Sequence, residues 1–301
     1  MTVSTMTVDT TRLESLLGRA VNDLAAGHSG VMVSLGMKLG LYRALAGAGP
    51  LSARELATRA DCAERYVREW LNSQVAGGYI DYHAVSDTYE LSPEQALIFA
   101  DDESPVFMPW AWQVTATMWA EEEKTIRAFR TGGGVAWGEH SERLHCGVAA
   151  FYRNAYRGSL VQEWLPALDG VVPQLEAGIT VADVGCGHGH STLLMAEAFP
   201  NSRFFGFDVH AASIDEARSN AEKAGLSDRV TFDVARATDF PAHGFGLVCF
   251  FDALHDMGDP VGAVRHTAST LAPGGTVALG YVVEVIAADA EDVLARPGDR
   301  R

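Results

Sequence analysis

The chain has 301 residues, 48% of them hydrophobic and 21% charged, with 39 Asp and Glu against 23 Lys and Arg for a net charge of −16. That is ordinary globular composition with apolar material for two cores. So acidic a balance repels nucleic acid and anionic membranes, and no apolar run is long enough to cross a bilayer. Residues 1–11 are polar, with no basic residue before Arg12 and no apolar stretch, so no secretory signal is expected. Cys62, Cys146, Cys186 and Cys249 are widely spaced without a Cys-x-x-Cys pair, which reads as free thiols in a reducing cytoplasm.

Apolar residues recur at helical spacing over 12–28 (Leu13, Leu16, Leu17, Ala20, Val21, Leu24), and a second helix is expected over 30–45, ending near Gly47 and Gly49. Ser52 and Glu55 have the spacing of a capping box and open a short helix over 53–60. A longer helix over 63–75 stops at Gly77-Gly78. Two β-like segments, 79–82 and 88–91, flank the turn residues Ser86-Asp87, and Ser92-Pro93-Glu94 caps another short helix. Helix, short helix, longer helix and two-stranded wing is the order of a winged helix-turn-helix, placed at about 30–100 within an N-terminal domain of residues 1–103. The 63–75 helix carries Arg65 and Arg68 but also Glu64 and Glu69, and residues 1–110 hold eight Lys and Arg against fourteen Asp and Glu. A phosphate-facing helix should be basic. The domain therefore reads as a dimerisation module, with a homodimer expected and the charge arguing against nucleic acid.

Residues 104–170 read as a helical linker region with a glycine break at 132–134. Its Met108, Trp110, Trp112, Met118 and Trp119 read as core or interface, the alternative being a wall of an apolar pocket. From Gly178 the pattern changes to strands at 180–184, 203–208, 230–234, 246–251 and 276–283, alternating with helices at 191–198, 212–224 and 260–271. Short buried strands alternating with amphipathic helices make an α/β, Rossmann-like, doubly wound parallel sheet over 171–301. The tail, 295–301, reads as disordered.

The loop Gly185-Cys186-Gly187-His188-Gly189 follows a strand and precedes a helix, the context that a nucleotide-like ligand needs. Glycines let a ligand approach the backbone, and the helix start offers free N–H groups. Asp208 ends the next strand, where a carboxylate can accept from both ribose hydroxyls. NAD and S-adenosylmethionine would both use this arrangement. Two details separate them: the third glycine of the dinucleotide fingerprint is replaced by His190, and Asp183 lies two residues before the loop, well placed for an ammonium or sulfonium and badly placed for a pyrophosphate.

Residues 181–192 resemble motif I of class I S-adenosylmethionine-dependent methyltransferases. The turn Leu271-Ala272-Pro273-Gly274-Gly275 is also typical of that family. The segment Ala253-Leu254-His255-Asp256-Met257-Gly258-Asp259 resembles the Leu-His-Asp-Trp-x-Asp segment of small-molecule O-methyltransferases that carry an N-terminal winged-helix domain, in a layout shared with a bacterial and mycobacterial group. The resemblance implies S-adenosylmethionine as cofactor. Gly185, Cys186, Gly187 and Gly189 would lie at its methionine part, with Asp183 near the ammonium and Asp208 on the ribose. Ala237 and Thr238 would lie near the adenine, and Phe251 and Asp252 beside the transferred methyl. His255 would be the general base toward a small, apolar or aromatic methyl acceptor, since imidazole titrates near neutrality. His188, His190, Cys186 and His210 raise the question of a metal, but an ion inside the loop would compete with the sulfonium, and no metal is expected.

Two departures from the family stand out. Strand four opens Gly246-Leu247-Val248 where Asp-Leu-Val is usual. The chain also stops about seventeen residues after Glu284, so the sheet is expected to lack strands six and seven and to expose an edge at strand five. Two other readings stay open beside the methyltransferase: a winged-helix transcriptional regulator with a ligand-sensing domain, and a truncated protein that binds the cofactor but is inactive.

Overall fold

The computed structural model describes residues 8–281 and 284–288. The expected disordered tail lies outside them. The chain divides after Trp119 into two compact units.

The first unit opens with α1, Thr10–Lys38, whose N-cap Asp9 accepts from the Arg12 N–H. Two helices were expected here, parted near residue 29, but α1 runs through. Two of its glycines, Gly30 and Gly36, serve close packing. A Cβ on Gly30 would sit 2.5 Å from the Trp112 ring, and one on Gly36 2.5 Å from both Trp70 and Tyr42. The break falls at Gly40, in the left-handed region at φ +67°. Then come α2, Leu41–Leu45, and α3, Ala53–Arg59, with the Ser52–Glu55 capping box formed. The next helix, α4, is Glu64–Ala76. The antiparallel wing consists of β1, Asp81–His83, and β2, Thr88–Glu90. A second capping box, Ser92 with Gln95, opens α5, Pro93–Phe99, and α6 follows at Pro109–Ala120. Leu41, Tyr42, Leu56, Val67, Trp70, Leu71 and Phe99 make the core of this winged-helix unit.

In the second unit α7, Glu122–Thr131, is closed by Gly132 in the left-handed conformation, at the expected glycine break. A 3₁₀ turn at Trp137–Glu139 leads to α8, Glu142–Ala155, which widens into a π-helical stretch, Tyr156–Trp164; α9 is Val171–Ala177. The α/β part runs β3 Thr180–Val184, α10 His190–Ala198, β4 Arg203–Asp208, α11 Ala211–Ala224, β5 Val230–Val234, β6 Phe245–Phe251, α12 Pro260–Thr270, β7 Leu271–Tyr281 and β8 Glu284–Ala288. The sheet order is β5-β4-β3-β6-β7-β8, with the first five strands parallel and β8 antiparallel to β7.

This is the doubly wound sheet expected from the sequence. Both faces are covered, so alternate residues feed two cores: Val181, Phe204, Leu247 and Cys249 on one side, Ala182, Val184, Phe207, Val248 and Phe250 on the other. Two expectations change. The strand order extends past strand five, because β8 pairs along β7, where the sheet was expected to end. And the Leu271–Gly275 turn is folded into β7 as a bulge: Leu271 pairs with Phe245 and Thr276 with Leu247, leaving four residues of β7 opposite Gly246 alone.

Candidate functional site

The strand order reverses between β3 and β6, and in open α/β sheets ligands bind beyond the C-terminal strand ends at such a switch point. The loop after β3, Asp208 at the end of β4, Ala237 and Thr238 past β5, and Phe251, Asp252 and His255 at and beyond β6 all lie at that edge.

The loop is held by its neighbours. Gly185 and Cys186 donate their N–H groups to the Phe207 carbonyl at 2.7 and 3.1 Å, and Gly187 donates to Asp208 Oδ2 at 3.0 Å. Gly185 has φ +79°, and a Cβ there would meet that of Ala253 at 2.4 Å, so no other residue fits. At Gly187, by contrast, a Cβ would meet nothing within 4 Å: the loop's crest is open to a ligand. Cys186 packs inward, 7% exposed, and burial pushes its thiol well above the ordinary range.

Asp183 lies beneath this loop, 1% exposed. Its Oδ2 accepts from the Ser191 and Thr192 hydroxyls, both at 2.6 Å, while its Oδ1 is buried with no partner among the described residues. Burial raises this carboxyl from 3.8 to about 6, against the pull of the two hydroxyls, and Asp208 adds to the rise. A buried acceptor left unsatisfied calls for a cation or an ordered water. Asp208 is itself nearly buried and accepts from Gly187 N–H and, through Oδ1, from His210 N–H at 2.9 Å. Ala237 is half-buried and Thr238 exposed, in the turn after β5.

At the end of β6, Phe251 packs against the rings of Tyr156 and Trp164. Asp252 takes a left-handed conformation, φ +53°, and its N–H donates to the Gly280 carbonyl at 2.7 Å. The Tyr152 hydroxyl donates to Asp252 Oδ2. His255 sits on a short 3₁₀ turn, Leu254–Asp256, with Nδ1 3.6 Å from Asp252 Oδ1 and Nε2 3.3 Å from Asp256 Oδ1. Its side chain is 44% exposed, so a molecule from solvent can reach it.

Sequence reasoning missed Ser191, Thr192 and Tyr152. The first two lie in the motif and carry a signal, two hydroxyls at the start of a helix behind an acidic strand end. Tyr152 carries none, because its partner is one hundred residues away. His145, buried and neutral because burial lowers its titration, packs its ring on His210 with centroids 4.3 Å apart and donates from Nε2 to the Trp137 carbonyl. Burial also lowers His188, and lowers His190 to about 4, so that neither adds positive charge to the loop near neutrality. Among the described residues no group of three or more metal-ligating side chains gathers.

In the first unit the arginines of α4 are spent on acids: Arg65 pairs with Glu69, and Arg68 with Glu64 at 3.3 Å and Asp87 at 3.4 Å. That leaves no basic face on this helix for a phosphate backbone.

Residues 175–295 match a family model described as a methyltransferase domain, and residues 27–100 one described as an Rv2258c-like winged HTH domain. Residues 175–295 are a methyltransferase domain. Curated relatives match part of the chain. A 27-O-demethylrifamycin SV methyltransferase of Amycolatopsis mediterranei is 35% identical over 133 residues, 42% of this chain and 48% of that protein. A trans-aconitate 2-methyltransferase of Paracidovorax citrulli is 33% identical over 105 residues, 35% of this chain and 39% of that protein. The chain thus spans less than half the length of these relatives. Among solved structures, PigF with SAH superposes with a TM-score of 0.68 at 18% identity, over 86% of this chain and 79% of that one. The mitomycin 7-O-methyltransferase MmcR gives 0.64 at 21% identity, over 89% and 81%. The methyltransferase fold behind a winged-helix domain, expected from the sequence, is borne out.

Proposed function

We propose that this protein is an S-adenosylmethionine-dependent methyltransferase that acts on an oxygen of a small, apolar or aromatic acceptor, with His255 as general base, working as a cytoplasmic homodimer. The unpartnered Asp183 Oδ1 beneath an open glycine loop carries the reading. The residues present suit this cofactor: an anionic acceptor for its ammonium, the bare crest of Gly187 for close approach, and Asp208 for the ribose hydroxyls. Bound there, S-adenosylmethionine supplies an electrophilic methyl group on a sulfonium that is already a good leaving group. The protein's part is then to align the acceptor, exclude water and take a proton from a hydroxyl. His255, half-exposed beside Phe251 and Asp252, is suited to that last task.

The dimer is supported by α1. Residues 8–28 are exposed throughout, yet Leu13, Leu16, Leu17, Val21 and Leu24, at helical spacing, are each more than half exposed. The stripe continues into a groove of ≈ 1030 Å³ lined by Val21, Leu24, Met32, Tyr66 and Trp70. A helix with so little cover from its own chain is marginal in water, and a second copy would cover it.

Titration calorimetry with S-adenosylmethionine, followed by turnover on phenolic acceptors, tests the proposal. His255→Ala should lower turnover by about 10²-fold or more, the scale of general-base catalysis, and leave cofactor affinity within about twofold. Full turnover in that variant removes the base. Failure of the parent protein to bind the cofactor removes the whole reading, and binding without turnover on any acceptor favours an inactive cofactor-binding protein.

A further inference from the structure

The Asp252 carboxylate is held from one side and offered to His255 from the other. Tyr152 on α8 donates its hydroxyl to Oδ2, and the backbone of Asp252 is pinned in a left-handed conformation by its hydrogen bond to the Gly280 carbonyl. Asp adopts this conformation more readily than most non-glycine residues, and the hydrogen bond to Gly280 holds it there. What this conformation achieves is to turn Oδ1 toward the Nδ1 side of the His255 ring, at 3.6 Å. That is ion-pair range, longer than a hydrogen bond, so the pull on the ring is electrostatic.

A neutral imidazole has one N–H and one lone pair, and only the nitrogen with the lone pair can act as a base. His255 has a carboxylate near each nitrogen, and the two compete for the N–H. Asp256 is slightly closer to Nε2, at 3.3 Å, but its side chain is 59% exposed and water screens it. The Asp252 side chain is 23% exposed and fixed at both ends. We infer that Tyr152 and Asp252 are positioning residues which set the tautomer of His255, drawing the N–H to Nδ1 and leaving Nε2 as the proton acceptor. The inference rests on reading His255 as the base. Burial, and then Asp252, keep the Tyr152 hydroxyl protonated far above neutral pH, so the donor is always present. Other titratable groups near this cluster include Asp256 on the same turn and Tyr156 on the π-helical stretch, which in turn lies near Asp183 and Cys186.

The tautomer can be read without knowing the acceptor. Long-range ¹H–¹⁵N NMR of the imidazole rings, on the full chain at alkaline pH, distinguishes Nδ1–H from Nε2–H, and His255→Ala assigns the signal. The parent protein should show Nδ1–H at His255. Tyr152→Phe and Asp252→Asn should move the ring toward the Nε2–H form that free imidazole side chains favour, whereas Asp256→Asn should keep Nδ1–H. Asn tolerates the left-handed conformation at least as well as Asp, and Tyr152→Phe keeps the ring packing, so one of the pair decides the matter if the other fails to fold. An Nε2–H ring in the parent, or the same tautomer in the parent and both variants, overturns the inference. That result is independent of the base assignment: loss of turnover in His255→Ala with tautomers unmoved by Tyr152→Phe and Asp252→Asn removes the positioning role alone.

Discussion

Burial raises the Asp183 carboxyl to about 6 while the Ser191 and Thr192 hydroxyls pull it the other way. The folded value exceeds the unfolded one, so the charged form is what folding disfavours. The resulting loss of stability is fully present above about pH 6, fades as the pH falls from about 6 toward 3.8, and is absent below that. By the conversion of 1.36 kcal/mol per pH unit it is on the order of 3 kcal/mol. Asp183→Asn removes the charge but keeps an amide oxygen that can accept from both hydroxyls. It should raise the thermal midpoint of the ligand-free protein at neutral pH, leave it unchanged near pH 4, and weaken S-adenosylmethionine binding at least tenfold by titration. A lowered midpoint at neutral pH together with unchanged binding would reject the cation-binding role. The acid itself was legible from its place two residues before the loop. Its buried, half-satisfied state was not, because burial depends on what α10 and the neighbouring strands bring over it.

At the scale of one element, the strand–loop–helix of β3 and α10 uses its glycines for different purposes. Gly189 caps α10 at φ +77°, and a Cβ there would lie 2.5 Å from the Phe232 ring. Gly187, at φ +52°, has open space where a Cβ would go. Gly189→Ala adds backbone strain to overpacking and should cost about 2–4 kcal/mol of stability. Gly187→Ala should cost only about 1 kcal/mol of backbone strain yet reduce cofactor affinity at least tenfold, because its methyl projects where the ligand would approach. Denaturant midpoints and cofactor titrations of the two variants check this; equal stability losses, or intact binding in Gly187→Ala, would contradict it. The loop's glycine spacing is readable in the sequence, but which glycine meets Phe232 is settled by β5 packing against it. The same distinction explains α1, where a second helix was expected to begin at residue 30 but Gly30 packs against Trp112 inside one continuous helix.

For the whole molecule the open question is what covers α1. Burying a Leu or Val side chain contributes about 1.5–3 kcal/mol, and five such side chains on one face outweigh the helix's own marginal stability. Leu17→Glu with Leu24→Glu should therefore convert a dimer into a monomer by light scattering on a sizing column. It should leave the core of Leu41, Leu56, Trp70 and Phe99 intact, since neither leucine belongs to it. A parent protein that is monomeric, or a double variant that still dimerises, rejects α1 as the interface.

Local chemistry was enough to determine the winged-helix order, the alternation of strands and helices, the Ser52–Glu55 capping box, the helix start at Ser92 and the glycine loop with its two acids. Each of these depends on residues within one turn or one strand–loop–helix unit, where periodicity and backbone preference act directly. The tertiary structure alone decided which glycines pack and which stay open, that β8 pairs along β7, that Ala272–Gly275 fold into a bulge, and that Tyr152 holds Asp252. These contacts join residues far apart in the chain, and no local pattern records a partner that only the packing of helix on sheet brings within reach.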